Sequence, residues 1–106
     1  MKDTFDIELL YVAPDGAESV ALIYLKGTGK TVCNLAGSNS YQIVSGEGVF
    51  FFPELGGKQV VEPGDMVHVP SGRVYYDEGD LVMLCTSRPA FKEDSVVVDP
   101  PVTVVE

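Results

Sequence analysis

Short apolar runs, broken by turn residues about every 8 to 12 positions, leave this chain few folds to choose from. No stretch of twelve residues keeps a helical period, and most of the eleven glycines and seven prolines fall between the apolar runs. Strands are expected at residues 5–12, 18–25, 31–35, 40–44, 50–52, 58–61, 81–86 and 95–98, with two more inside 64–76. The run ESVALIYL is apolar enough to be central or covered on both sides. Ala13-Pro14-Asp15-Gly16, Ser45-Gly46-Glu47-Gly48, Pro53 to Gly57 and Glu62-Pro63-Gly64-Asp65 read as the turns that reverse the chain. About ten strands in so small a protein cannot all be central, so an all-β barrel or sandwich is the expected architecture.

At 106 residues the chain has material for one modest core, and residues 1–106 are expected to form one domain. Hydrophobic residues at 45% against 22% charged argue for a folded globular chain. MKDTFDIELL carries charges where a secretory or membrane segment needs an apolar run, so a cytoplasmic protein is expected. Cys33 and Cys85 form no C-x-x-C pair and read as buried thiols. The net charge of -9 repels phosphate backbones and anionic lipid, which argues against nucleic-acid and membrane partners. The acids, including Asp77-Glu78-Gly79-Asp80 and Glu93-Asp94, read as solubilising loop charges. They lack the D-x-D-x-D-G spacing of a calcium loop.

Two sets of intervals carry more information. Gly64, five residues, Pro70, one residue, Gly72, two residues, Tyr75 is one; Gly27, Cys33, Leu35, Asn39 and Gly46 form the other. Together they resemble the two motifs of the cupin superfamily, whose fold is a double-stranded β-helix, or jelly-roll barrel. The glycines and the proline match. The positions at which that family places three metal-binding histidines and a glutamate hold Cys33, Leu35, Asn39 and Tyr75 instead, and Gly79 stands at the motif's asparagine. The resemblance thus implies the fold without the usual metal site: leucine offers no donor, and a tyrosine ligand must first lose a proton of pKa about 10. No cofactor is expected. Gly46 and Gly64 are expected in tight hairpins, and Pro70 with Gly72 in a type II turn with proline at the first central position.

Strand alternation puts Asn39, Tyr41 and Ile43 on one face of their strand, and Cys33 with Leu35 on one face of theirs. In the cupin register these faces look into the barrel and Tyr75 joins them. The candidate ligand-binding residues are therefore Cys33, Asn39, Tyr41 and Tyr75, with Arg73 near the rim and His68, the only histidine, between two valines of a strand. Three functions remain open: a metal-free cupin binding a small polar molecule such as a sugar or carboxylate; a cupin enzyme, either a sugar isomerase or epimerase, with His68 as base and a tyrosine as acid, or an oxygenase with non-standard metal ligands; and a scaffold or sensor working through its surface. The inventory of acids and bases favours binding over catalysis. A small-molecule ligand and a homodimer are the expected partners, the dimer because the apolar segments FDIELLYV and SVVVDPPVTVV need cover.

Overall fold

The computed structural model describes residues 4–100. The second half of the apolar segment SVVVDPPVTVV, residues 101–105, lies outside them. Among the described residues eight strands follow one another: β1 (Thr4–Val12), β2 (Ser19–Thr28), β3 (Val32–Asn34), β4 (Ser38–Phe52), β5 (Gly57–Val61), β6 (Met66–Val69), β7 (Val74–Arg88) and β8 (Val96–Val98), with one 3-10 turn at Glu93–Ser95. All pairings are antiparallel, and the sheet runs β1-β2-β7-β3-β8. β4 lies along β7 and pairs with β6 through its first half and β5 through its second. The sheet curls into a half-barrel, as expected for an all-β cupin-type chain. Among the described residues no helix is long and apolar enough to cross a membrane.

Among the described residues fewer strands form than the expected ten, because one anticipated turn and one anticipated loop lie inside strands. Residues 40–44 and 50–52 belong to the single fifteen-residue β4, which passes straight through Ser45-Gly46-Glu47-Gly48. The acidic stretch Asp77-Glu78-Gly79-Asp80 likewise lies within the fifteen-residue β7 and is no loop. Gly48 pairs with Gly79, and Gly46 and Gly79 have φ of 86° and 140°. A Cβ at Gly46 would overlap the Asp80 carbonyl oxygen, and one at Gly79 would overlap that of Glu47. Glycine is needed here for a close backbone approach, which local turn chemistry cannot distinguish from a reversal.

A bulge between Ile43 and Ser45 also changes the parity of β4. Before it Asn39, Tyr41 and Ile43 point inward; after it Phe50 does, and is fully buried. The extra residue, Val44, is exposed and shifts the alternation by one place. The core formed by Ile23, Leu25, Tyr41, Ile43, Phe50, Val67, Val69, Leu81 and Met83 sits in the concavity of the sheet. β1 is different: Phe5, Ile7 and Leu9 pair with Leu25, Ile23 and Ala21, yet all three remain exposed at the open edge.

The true reversals match their chemistry. Asp65 N–H donates to the Glu62 carbonyl at 3.0 Å with Gly64 at φ 96°, which is a type II turn with Pro63 at the first central position. The Pro70 turn differs in register from the expectation. Arg73 N–H donates to the Pro70 carbonyl at 3.2 Å, so Ser71 and Gly72 are central and proline precedes the corner. Gly72, at φ 85°, still takes the left-handed position.

Candidate functional site

Because β7 alternates without interruption, Tyr75, Asp77, Leu81, Met83, Cys85 and Ser87 all face inward. The apolar members hold the strand against the core. Of the polar ones, Tyr75 and Asp77 stand at the mouth, where they line a cavity of about 630 Å³. Tyr41 of β4, Ile23 of β2 and Val32 of β3 complete its inner wall; Thr28, Gly29 and Lys30 after β2, and Thr4 and Phe5 of β1, form its rim. A cavity of this size is typical of small-molecule sites.

The tyrosines belong to a buried hydrogen-bond chain. Ser87 Oγ donates to Asn39 Oδ1 at 2.7 Å, Asn39 Nδ2 donates to the Tyr75 hydroxyl at 3.1 Å, and the Tyr75 and Tyr41 hydroxyls are hydrogen-bonded to each other. Among the described residues no buried side-chain nitrogen or oxygen is left without a partner. Burial opposes ionisation of the acidic groups here. It holds Tyr41 well above the ordinary tyrosine value, with Tyr75 adding to the effect. Burial also pushes Tyr75 up to about 12, although hydrogen bonds from Tyr41 and Asn39 oppose the shift. Cys85 is raised to about 11, again by burial, so its thiol is neutral.

Asp77 is the residue that reading the sequence missed. Burial raises its carboxyl from 3.8 to about 6, opposed by its own backbone N–H. A signal was present: Asp77 shares the odd parity of Tyr75, Leu81, Met83 and Cys85, and a strand carried through the acidic stretch points it inward. Gly29 makes room for it. Gly29 N–H donates to the Asp77 carbonyl at 2.7 Å, and a Cβ at this position would overlap Asp77 Oδ1. Gly29→Ala is therefore expected to push the carboxyl toward water at little cost in stability, moving its titration back toward the ordinary range. NMR titration of the Asp77 carboxyl measures this, and an unmoved midpoint would contradict the close packing.

The other candidates separate. Asn39, Tyr41 and Tyr75 come together as expected. Cys33 does not join them: Val32 is the residue opposite Tyr75, whereas Cys33 pairs with Val74, so Cys33 lies buried on the other face of the β3–β7 pair. Burial and the Glu54 carboxylate both raise its thiol pKa, which disfavours a thiolate. Leu35 is 62% exposed, beyond the end of β3, with its N–H on the Ser95 carbonyl. His68 is exposed on the outer face of β6, where Nδ1 meets Ser40 Oγ at 2.9 Å, so it is not the base of a barrel site. Arg73 is half-buried in the turn before β7 and does not line the cavity.

The family-type metal positions thus fail as a donor set, being spread over two faces and the surface. Asn39, the one carboxamide among them, is already engaged on both atoms. Among the described residues no group of three or more His, Cys, Asp or Glu side chains is arranged to hold a metal ion.

A curled antiparallel sheet with this strand order and an inward-facing polar mouth defines the double-stranded β-helix class, and the chain has the cupin fold. The particular proteins it is similar to in structure include Pac13 of Streptomyces, a nucleoside dehydratase, in a variant solved with uridine. That match has a TM-score of 0.81 and 23% identity, over 97% of this chain and 84% of the other. Ectoine synthase from P. lautus matches with a TM-score of 0.72 and 18% identity, over 97% and 82% of the two chains. The DMSP lyase DddQ from Ruegeria pomeroyi matches with a TM-score of 0.73 and 19% identity, over 90% of this chain and 51% of that one. No protein-family model and no curated protein matches the chain.

Proposed function

We propose that the cavity binds a small hydroxylated molecule, up to about the size of a nucleoside, and eliminates water from it by acid–base chemistry without the usual cupin metal. The observation that carries this reading is the pairing of Asp77 and Tyr75, two residues apart on β7 and both on the cavity wall. With a pKa of about 6 the Asp77 carboxyl is ionised at neutral pH yet far more basic than an exposed aspartate, which suits it to remove a proton from carbon. Tyr75 stays protonated and can supply a proton to the departing oxygen. In the overall step a C–H bond and a C–O bond break, a C=C bond forms, and water leaves. The proton taken up by Asp77 returns to Tyr75 through solvent at the open mouth.

The Pac13 structures support the comparison of sites. Solved forms with uridine include tyrosine-to-phenylalanine variants at two positions 34 residues apart, the separation of Tyr41 and Tyr75 here. A histidine-to-glutamine variant lies thirteen positions before the first of those tyrosines. Counting back thirteen from Tyr41 reaches Thr28, on the rim of the cavity. Thr28 offers no base and His68 lies outside, so the reading rests on Asp77, the one carboxylate that lines the cavity.

The test is a panel of nucleosides, hydroxy acids and hydroxy aldehydes incubated with the protein, with the new double bond followed by absorbance and NMR. Wild-type protein is expected to convert at least one of them, and Tyr75→Phe to lose at least about a hundredfold in turnover. Undiminished turnover by Tyr75→Phe removes the phenol from the mechanism. Tight binding with no turnover of any compound returns the cavity to the binding role, which the mutual hydrogen bonding of the tyrosines also satisfies.

A further inference from the structure

We propose that Lys30 sets the substrate class of the cavity: the molecule that enters carries a carboxylate or phosphate group, which the Lys30 ammonium holds at the rim while the reacting carbon lies beside Asp77 on the inner wall. The inference rests on the reading of the cavity as an elimination site and adds the kind of molecule it takes. Among the described residues Lys30 is the one basic residue that lines the cavity, and Asp77 the one acid. The two do not neutralise each other. Arg88 with Glu18 makes the one ion pair among the described residues. No cation is among the groups that set the Asp77 titration, which burial raises and its own backbone N–H opposes. The carboxylate on the wall repels an anion and the ammonium at the rim attracts it, so an anionic molecule enters in one orientation.

The backbone fixes where this cation stands. Gly29 N–H donates to the Asp77 carbonyl at 2.7 Å, and Asp99 N–H donates to the Thr31 carbonyl at 2.8 Å. Lys30 is therefore pinned on both sides, one residue from the glycine that packs against the base. A flexible ammonium on a fixed backbone suits a carboxylate or phosphate oxygen as a point charge. Thr4 and Thr28 add hydroxyl groups to the same rim. The protein as a whole does not draw anions. Its net charge of -9 repels them at long range, so a preference for an anion has to come from a local cation. Lys26 supplies the contrast: it pairs with Thr4 of the rim, but it is exposed next to the buried Leu25, on the outer face of β2, and does not line the cavity.

The test is calorimetric binding of matched compounds that differ by the anionic group: uridine against uridine monophosphate, and β-hydroxybutyramide against β-hydroxybutyrate. The first pair offers a phosphate and the second a carboxylate. At low salt the anionic member of at least one pair is expected to bind about fivefold or more tightly than its neutral partner, and the pair that shows this names the anion. Lys30→Gln should bring the two members together, and Lys30→Arg should keep them apart. Lys26→Gln, which removes the same charge outside the cavity, should keep them apart as well. Lys30 is exposed, so these substitutions leave the core untouched. Anionic members that bind no better than the neutral ones, a preference that survives Lys30→Gln, or no measurable binding of either anion overturns the inference. A preference that depends on Lys30, in a protein that turns over none of the compounds, upholds the anion site and overturns the elimination. Turnover of a neutral compound with no preference for the anionic members overturns the inference and leaves the elimination standing.

Discussion

Replacing Asp77 by asparagine is expected to raise stability at pH 7 by up to about 3 kcal/mol while lowering turnover roughly a hundredfold or more. Both effects have one cause. The carboxyl titrates at about 6 in the folded chain against 3.8 ordinarily, so the folded state holds a proton that the unfolded state has already released. Between those values folding takes up a proton, and stability falls as pH rises through that window. Above about pH 6 the cost of a buried carboxylate is fully present. Asparagine has nearly the same shape and does not titrate, so Asp77→Asn avoids that cost and loses the base. Urea unfolding from pH 3.5 to 8 measures the first effect: the two proteins should agree near the acid end and diverge as the pH rises. A variant less stable than wild type at pH 7, with the same pH slope, would contradict the burial of a charge at this site.

A second large effect is expected where the two long strands cross. Gly46→Ala should cost more than about 4 kcal/mol, enough to prevent folding of a typical small domain. Its Cβ has to displace the Asp80 backbone, which β7 holds in place through pairing with both β2 and β4. Gly64 provides the control. It has a similar φ, 96° against 86°, but a Cβ there meets nothing within 4 Å. Gly64→Ala should therefore show only the backbone strain, roughly 1 kcal/mol or slightly more. The difference between the two unfolding midpoints isolates the close approach. Equal losses would mean that the crossing has room to adjust.

Much of the frame was legible because its causes are local. Pro63-Gly64 and Gly72 announce turns by their own dihedral needs, and the alternation of Asn39, Tyr41 and Ile43 announces an inward face. What was illegible depends on partners distant in sequence. Gly46 and Gly79 look like turn glycines until the facing strand is known, and the supposed loop around Gly79 concealed Asp77. Cys33 was placed one residue out of phase because the short β3 takes its facing from Val32 opposite Tyr75, a pairing between residues more than forty apart. His68 lies on an alternating strand whose facing was set by Val67 and Val69, both buried. Those valines flank it on either side, which is itself the signal that it points outward.

The order of strands along the chain has a consequence for synthesis. β7, the last long strand to be made, is the one that stands between β2 and β4. Until residue 88 has left the ribosome, both of those strands carry an open hydrogen-bonding edge, and the nascent chain exposes the apolar face of a barrel it cannot yet close. Folding therefore waits for distant partners, which makes it slow for so short a protein. Tyr75 and Asp77 arrive on that same strand, so no shorter folded intermediate carries the site: the pocket appears only when the barrel does.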